Sequence, residues 1–161
     1  NEAKPRMSSH RKKENYVEPD GLPEPQKFGD SITADFKILG PGDKARHGEQ
    51  DALTIQDRYT SWLRGYATKS RHTSECKRCF QRFWGPQFEP QHVYTDGGGE
   101  CEKALADMGV SSDVSLPHRP QTNAVAERAV GRVKEGTSSV LVQSGFHDAW
   151  WPEAMECYCF L

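Results

Sequence analysis

The sequence predicts one α/β domain built on a mixed five-stranded sheet, three strands in antiparallel order followed by two more, with helices on its flanks. Three observations carry that expectation. Apolar and polar residues alternate from Ile32 to Ile38, two further strand-like runs follow polar turns, and beyond residue 120 apolar positions recur at helical spacing.

Taken in order, residues 1–27 are charged, carry Pro19, Pro23 and Pro25, and lack apolar periodicity, which predicts a basic, proline-rich linker. The texture changes at Phe28. Ile32, Ala34, Phe36 and Ile38 alternate with Thr33, Asp35 and Lys37, so Asp35 lies mid-strand on the face opposite the apolar set. A carboxylate there must be paired, solvated or bound to a cation, because an isolated buried charge is costly. Residues 40–50 form a polar loop, and 52–58 and 62–68 read as strands joined by a tight turn at Tyr59-Thr60-Ser61. A helix is expected near 73–84, a fourth strand over 91–96, a short helix over 100–108 and a fifth strand over 110–116.

The long helix expected over about 122–144 has the clearest division of faces. Ala129, Val130, Val133, Thr137, Val140 and Leu141 fall on one side, and Arg128, Arg132, Glu135 and Ser139 on another. Gly131 and Gly136 each weaken it by about 1 kcal/mol relative to alanine.

Composition narrows the class. With 161 residues, 35% of them hydrophobic and 27% charged, the chain fits one domain with a modest core. Its mean hydropathy of -0.82 and the absence of a long apolar run argue against a membrane protein, and the N-terminus shows no signal-peptide pattern. The chain lacks an initiating Met and stops in an apolar segment, so it reads as a fragment. The net charge of -2 hides local cationic excess at Lys4, Arg6, Arg11, Lys12 and Lys13, and again around Arg119, Arg128, Arg132 and Lys134. An odd cysteine count, five, without secretory context argues against a disulfide framework. Cys76 and Cys79 fall at i and i+3 on a predicted helix, where core packing is preferred over half a zinc site.

Chemistry concentrates between Val93 and Lys134. Asp96 ends a strand at Gly97-Gly98-Gly99, Glu127 lies on the long helix, and Pro117-His118-Arg119-Pro120-Gln121 is a basic polar loop between them. Two carboxylates beside a basic loop suit divalent cations held against a phosphate backbone. Glu127 and Lys134, seven residues apart, project in nearly the same direction. Asp30 and Asp57 are accounted for by turn chemistry, and Glu100 and Asp107 by the short helix.

FGDSITAD, DALTIQDRYTSWLRGY, VYTDGGGE, LPHRPQTNAVAER and AWWPEAM, in that order over residues 28–161, resemble the catalytic core of retroviral and retrotransposon integrases, within the ribonuclease H-like superfamily. The last two look most like the copia type. The resemblance implies a ribonuclease H-like fold and an acidic triad of Asp35, Asp96 and Glu127, which would hold two Mg²⁺ (or Mn²⁺) ions. It also implies DNA contacts by His118, Arg119, Gln121, Asn123 and Lys134. Ala124 stands where glycine is usual and Gly97 where asparagine is common. NEAKPRM resembles the tail of an integrase's N-terminal zinc module, so 1–27 is expected to follow a missing module and 28–161 to be a core truncated at its C-terminal end.

The implied function is metal-dependent DNA 3′-end processing and strand transfer, the integration chemistry of a retrotransposon polyprotein. Its partners would be element ends and target DNA, with a homo-oligomer expected and neither a membrane nor a small-molecule substrate involved. Such a protein would be intracellular and work in the nucleus. The alternatives are an inactive or domesticated integrase-derived domain that binds nucleic acid or protein, and a ribonuclease H-like nuclease without strand transfer.

Overall fold

The computed structural model describes residues 24–38, 41–96, 98–114 and 120–161. Most of the expected linker lies outside the described residues. Strands β1 (Ile32–Ile38), β2 (Asp51–Asp57) and β3 (Leu63–Thr68) form an antiparallel meander. Helix α1 (Thr73–Trp84) leads to β4 (Val93–Thr95), and helix α2 (Gly99–Asp107) leads to β5 (Ser112–Val114). Helix α3 (Pro120–Ser144) and helix α4 (Trp151–Phe160) complete the domain. The sheet order is β3-β2-β1-β4-β5, with β4 and β5 parallel to the neighbours that precede them in that order. This is the mixed five-stranded sheet that the alternation and turn pattern predict.

Strand periodicity sorts the side chains into two cores. Ile32 and Ala34 of β1, with Leu53 and Ile55 of β2, pack beneath α1 and α2. The intervening positions face α3: Lys37 pairs in register with Ala52, and Asp35 with Thr54. On the α3 side Ala52, Val133, Trp151 and Met155 form a second, smaller core. Helix α1 buries Cys76, Cys79, Phe80, Phe83 and Trp84, an i, i+3, i+4, i+7, i+8 stripe that makes it amphipathic. It ends at Gly85, whose φ of 86° is a left-handed conformation that favours glycine. Burial of Phe80 contributes about 2–3 kcal/mol.

The cysteines of the CxxC are core residues. Cys76 and Cys79 are buried, and Cys76 Sγ lies 3.6 Å from Cys101 Sγ across the α1–α2 contact. Burial pushes the Cys79 thiol up to about 12, which leaves it a poor thiolate ligand.

Helix α3 starts at Pro120, two residues before the expected position. Proline is well placed there, since its fixed φ suits a first helical turn and its missing N–H is not required. Gly136, which lowers helix propensity, is needed for packing: the Tyr158 ring of α4 occupies the space a Cβ would take. Trp151 Nε1 donates to the Asp43 carbonyl at 2.8 Å, and Arg46 pairs with Glu153, which ties the β1–β2 loop to α4. Among the described residues no helix is long and apolar enough to cross a membrane.

Two strands differ in their bounds from the sequence pattern. The fourth, expected over 91–96, pairs only at Val93–Thr95, because Asp96 leaves the ladder to accept a hydrogen bond from the Gly98 N–H at 3.2 Å. The fifth, expected over 110–116, starts at Ser112 and is described to Val114; residues 115 and 116 lie outside the described residues.

Candidate active site and nucleic-acid face

The position of the acids follows from strand register. The parallel ladder aligns Ile32 with Val93, Thr33 with Tyr94 and Ala34 with Thr95, so the next residues, Asp35 and Asp96, come side by side where β4 ends. Their carboxyl groups share a hydrogen bond. Asp35 is half-buried in mid-strand, and Asp96 is exposed on the turn into α2.

Glu127 approaches the pair from α3. It is exposed, yet close enough to Asp35 to act on its ionisation. Burial is the main influence on Asp35, followed by the facing Asp96 carboxylate and then Glu127. Together they push the Asp35 carboxyl from its ordinary 3.8 up to about 7, against an opposing hydrogen bond from the Phe36 N–H. Asp35 therefore keeps its proton well above the usual carboxylate range.

Among the described residues, no three histidine, cysteine, aspartate or glutamate side chains converge closely enough to hold a metal ion. The arrangement is a touching pair with a third acid at electrostatic range. Its donors are all carboxylate oxygens, which suit a hard divalent cation, and the repulsion that raises Asp35 is the kind a cation relieves.

The residues expected to meet DNA are only partly placed. His118 and Arg119 lie outside the described residues. Gln121 and Asn123 belong to the first turns of α3, with their side chains outside the description. Lys134 is exposed on α3 and lines a cavity of about 310 Å³ between α3, β1 and β2.

Two residues were not singled out for these roles by their sequence context. Lys37 lines the same cavity as Lys134; the available signal was its i+2 position from Asp35, which assigns both to one face of β1. Asp57 does more than start a turn. It is fully buried and accepts from the Gly29 N–H at 2.9 Å, the Thr60 N–H at 2.7 Å and the Thr60 hydroxyl at 2.6 Å. It joins the approach to β1 to the β2–β3 turn. Asp30 is a turn residue as expected, accepting from the N–H groups of Gln26 and Lys27.

The mixed sheet order and its flanking helices define a fold class, α/β cores of ribonuclease H-like fold, with Asp35 in mid-strand on β1 beside Asp96 at the end of β4. Within it, the chain superposes on the crystal structure of the catalytic core domain of BIV integrase with a TM-score of 0.59 and 12% identity, over 81% of each chain. In sequence it is 25% identical over 121 residues to the Gag-Pol polyprotein of Woolly monkey sarcoma virus, covering 71% of this chain and 7% of that polyprotein. No protein-family model matches. The chain is thus distantly similar to a retroviral polyprotein in sequence and has the fold of an integrase core, with no particular member singled out.

Proposed function

We propose that this chain is an integrase-derived, nucleic-acid-binding core of retroelement origin, in which the ribonuclease H-like sheet and α3 present a binding face while the three-acid chemistry has lapsed. One observation carries this reading: among the described residues the acids stop at a touching pair, and Glu127 does not join it as a third ligand. Lys37 and Lys134 on the same face supply charge for a phosphate backbone. DNA is the intended partner, an oligomer the working form and the nucleus the working place. The test is anisotropy binding to duplex DNA across a salt series, with product analysis on branched DNA in Mg²⁺ and in Mn²⁺. Salt-sensitive binding without joined or resolved products supports the reading; salt-insensitive or absent binding removes it.

A second reading, copia-like metal-dependent strand transfer, is favoured by the raised Asp35 carboxyl. Asp35 and Asp96 would hold the ion and Glu127 would complete its coordination. A bound divalent pair supplies activation of the attacking oxygen and stabilisation of the leaving one at phosphorus. Asp96 is anchored by the Gly98 N–H, and Asp35 holds a proton at its carboxyl in the cation-free protein. Products from branched DNA that vanish in Asp96→Asn would replace the first reading with this one.

A further inference from the structure

On the other side of the sheet from α3, two cysteines from different helices meet in the core. Cys76 of α1 and Cys101 of α2 are 0% and 3% exposed, and the Cys101 thiol donates to Cys76 Sγ at 3.6 Å. As core residues they serve as small hydrophobes, and nothing in that role requires thiol against thiol. The contact matters for chemistry instead: a sulfur–sulfur bond of about 2.05 Å needs a further approach of only about 1.5 Å.

The pair is also polarised. The hydrogen bond from Cys101 holds the Cys76 thiol below its ordinary range, while the same bond and then burial push Cys101 up. Cys79, one turn further along α1, is buried too, and burial pushes it up to about 12. Cys76 is therefore the nucleophile and Cys101 the resolving thiol. Cys101 lies in the first turn of α2, close enough to Asp96 for that carboxylate to act on its ionisation. The Gly98 cap supplies no side-chain hydrogen bond to this turn, so local opening can admit a small oxidant.

We propose that Cys76 and Cys101 are a redox-modification site, closing to a reversible disulfide with a peroxide and so tying the start of α2, and the Asp96 turn before it, to α1. The Cys76 sulfur attacks one peroxide oxygen, the O–O bond breaks, and the departing hydroxide takes the Cys76 proton to leave as water. The resulting sulfenic acid is attacked by the Cys101 sulfur; its S–O bond breaks, and the hydroxide leaves as a second water with the Cys101 proton. Two thiols are oxidised by two electrons and one peroxide is reduced. A dithiol reverses the bond by exchange. The bond forms whether or not the chain binds DNA.

The experiment treats the whole 161-residue chain with hydrogen peroxide, blocks remaining thiols with iodoacetamide, and maps peptides by mass spectrometry without reduction. A peptide pair joined through Cys76 and Cys101 is expected, lost on adding dithiothreitol. Amide hydrogen exchange over the first turn of α2 slows about tenfold in the oxidised chain. Cys101→Ala abolishes the linked pair and Cys79→Ala leaves it in place; the map of the unaltered chain decides the matter if either variant melts early. Oxidation confined to the exposed Cys157, or a Cys76 to Cys79 link in place of the expected one, overturns the assignment. A bond that forms while exchange in α2 stays unchanged overturns the restraint on the Asp96 turn.

Discussion

The carboxyl groups of Asp35 and Asp96 share a hydrogen bond because the parallel pairing of β1 with β4 delivers the two residues side by side. Burial, and after it the neighbouring Asp96 carboxylate, push the Asp35 carboxyl up to about 7. The consequences can be measured in the cation-free protein.

Stability should fall as pH rises. Folded Asp35 titrates at about 7 against an ordinary 3.8, so the folded state binds more protons than the unfolded one across that window. The contribution is fully present below about 4 and is lost as pH rises through about 7. After discounting for solvent screening it is about 1–2 kcal/mol, a shift of about 3–6 °C in Tm. Asp35→Asn should flatten the profile in thermal melts from pH 4 to 8; an unchanged profile in that variant would remove Asp35 as the cause.

Divalent cations should act on the same pair. If Asp35 and Asp96 together accept Mg²⁺, Tm at pH 8 rises with ion concentration, and tenfold saturation adds about 1.4 kcal/mol. Asp96→Asn should abolish the rise while keeping the fold. A calorimetric titration with no heat and no Tm shift at millimolar Mg²⁺ or Mn²⁺ would count against strand transfer and for the binding-only reading.

Asp57→Ala should be among the most damaging single changes outside the core. It leaves the Gly29 and Thr60 N–H groups and the Thr60 hydroxyl without their acceptor at a fully buried position. A loss of about 3–5 kcal/mol in urea unfolding is expected. Asp57→Asn, which keeps one acceptor oxygen, should cost less.

Gly136→Ala tests the α3–α4 contact. Alanine gains about 1 kcal/mol of helix propensity but meets the Tyr158 ring, and overpacking of this kind costs about 1–3 kcal/mol. The single variant is expected to destabilise. In a Tyr158→Ala background the same change should stabilise, so the sign reversal in a double-mutant cycle is the diagnostic result.

Local patterning made much of this legible. Alternation at residues 32–38 reported which face of β1 is buried, and the i, i+3, i+4 stripe of α1 and the divided faces of α3 match the observed burial. These signals are local, because side-chain direction repeats every two residues in a strand and every 3.6 in a helix. Resemblance to integrases directed attention to Asp35, Asp96 and Glu127, whereas His118 and Arg119 fall outside the described residues.

By itself, then, the sequence determined the elements, their order and the faces on which the acids and lysines lie, since each depends on neighbours within a few residues. Only the tertiary structure decided that Asp35 touches Asp96 while Glu127 stands off, that Asp57 is a fully buried acceptor, and that Lys37 shares a cavity with Lys134. Those facts depend on the register between strands distant in the chain and on the close approach of α4 to α3 at Gly136. Periodicity along one segment carries no information about either.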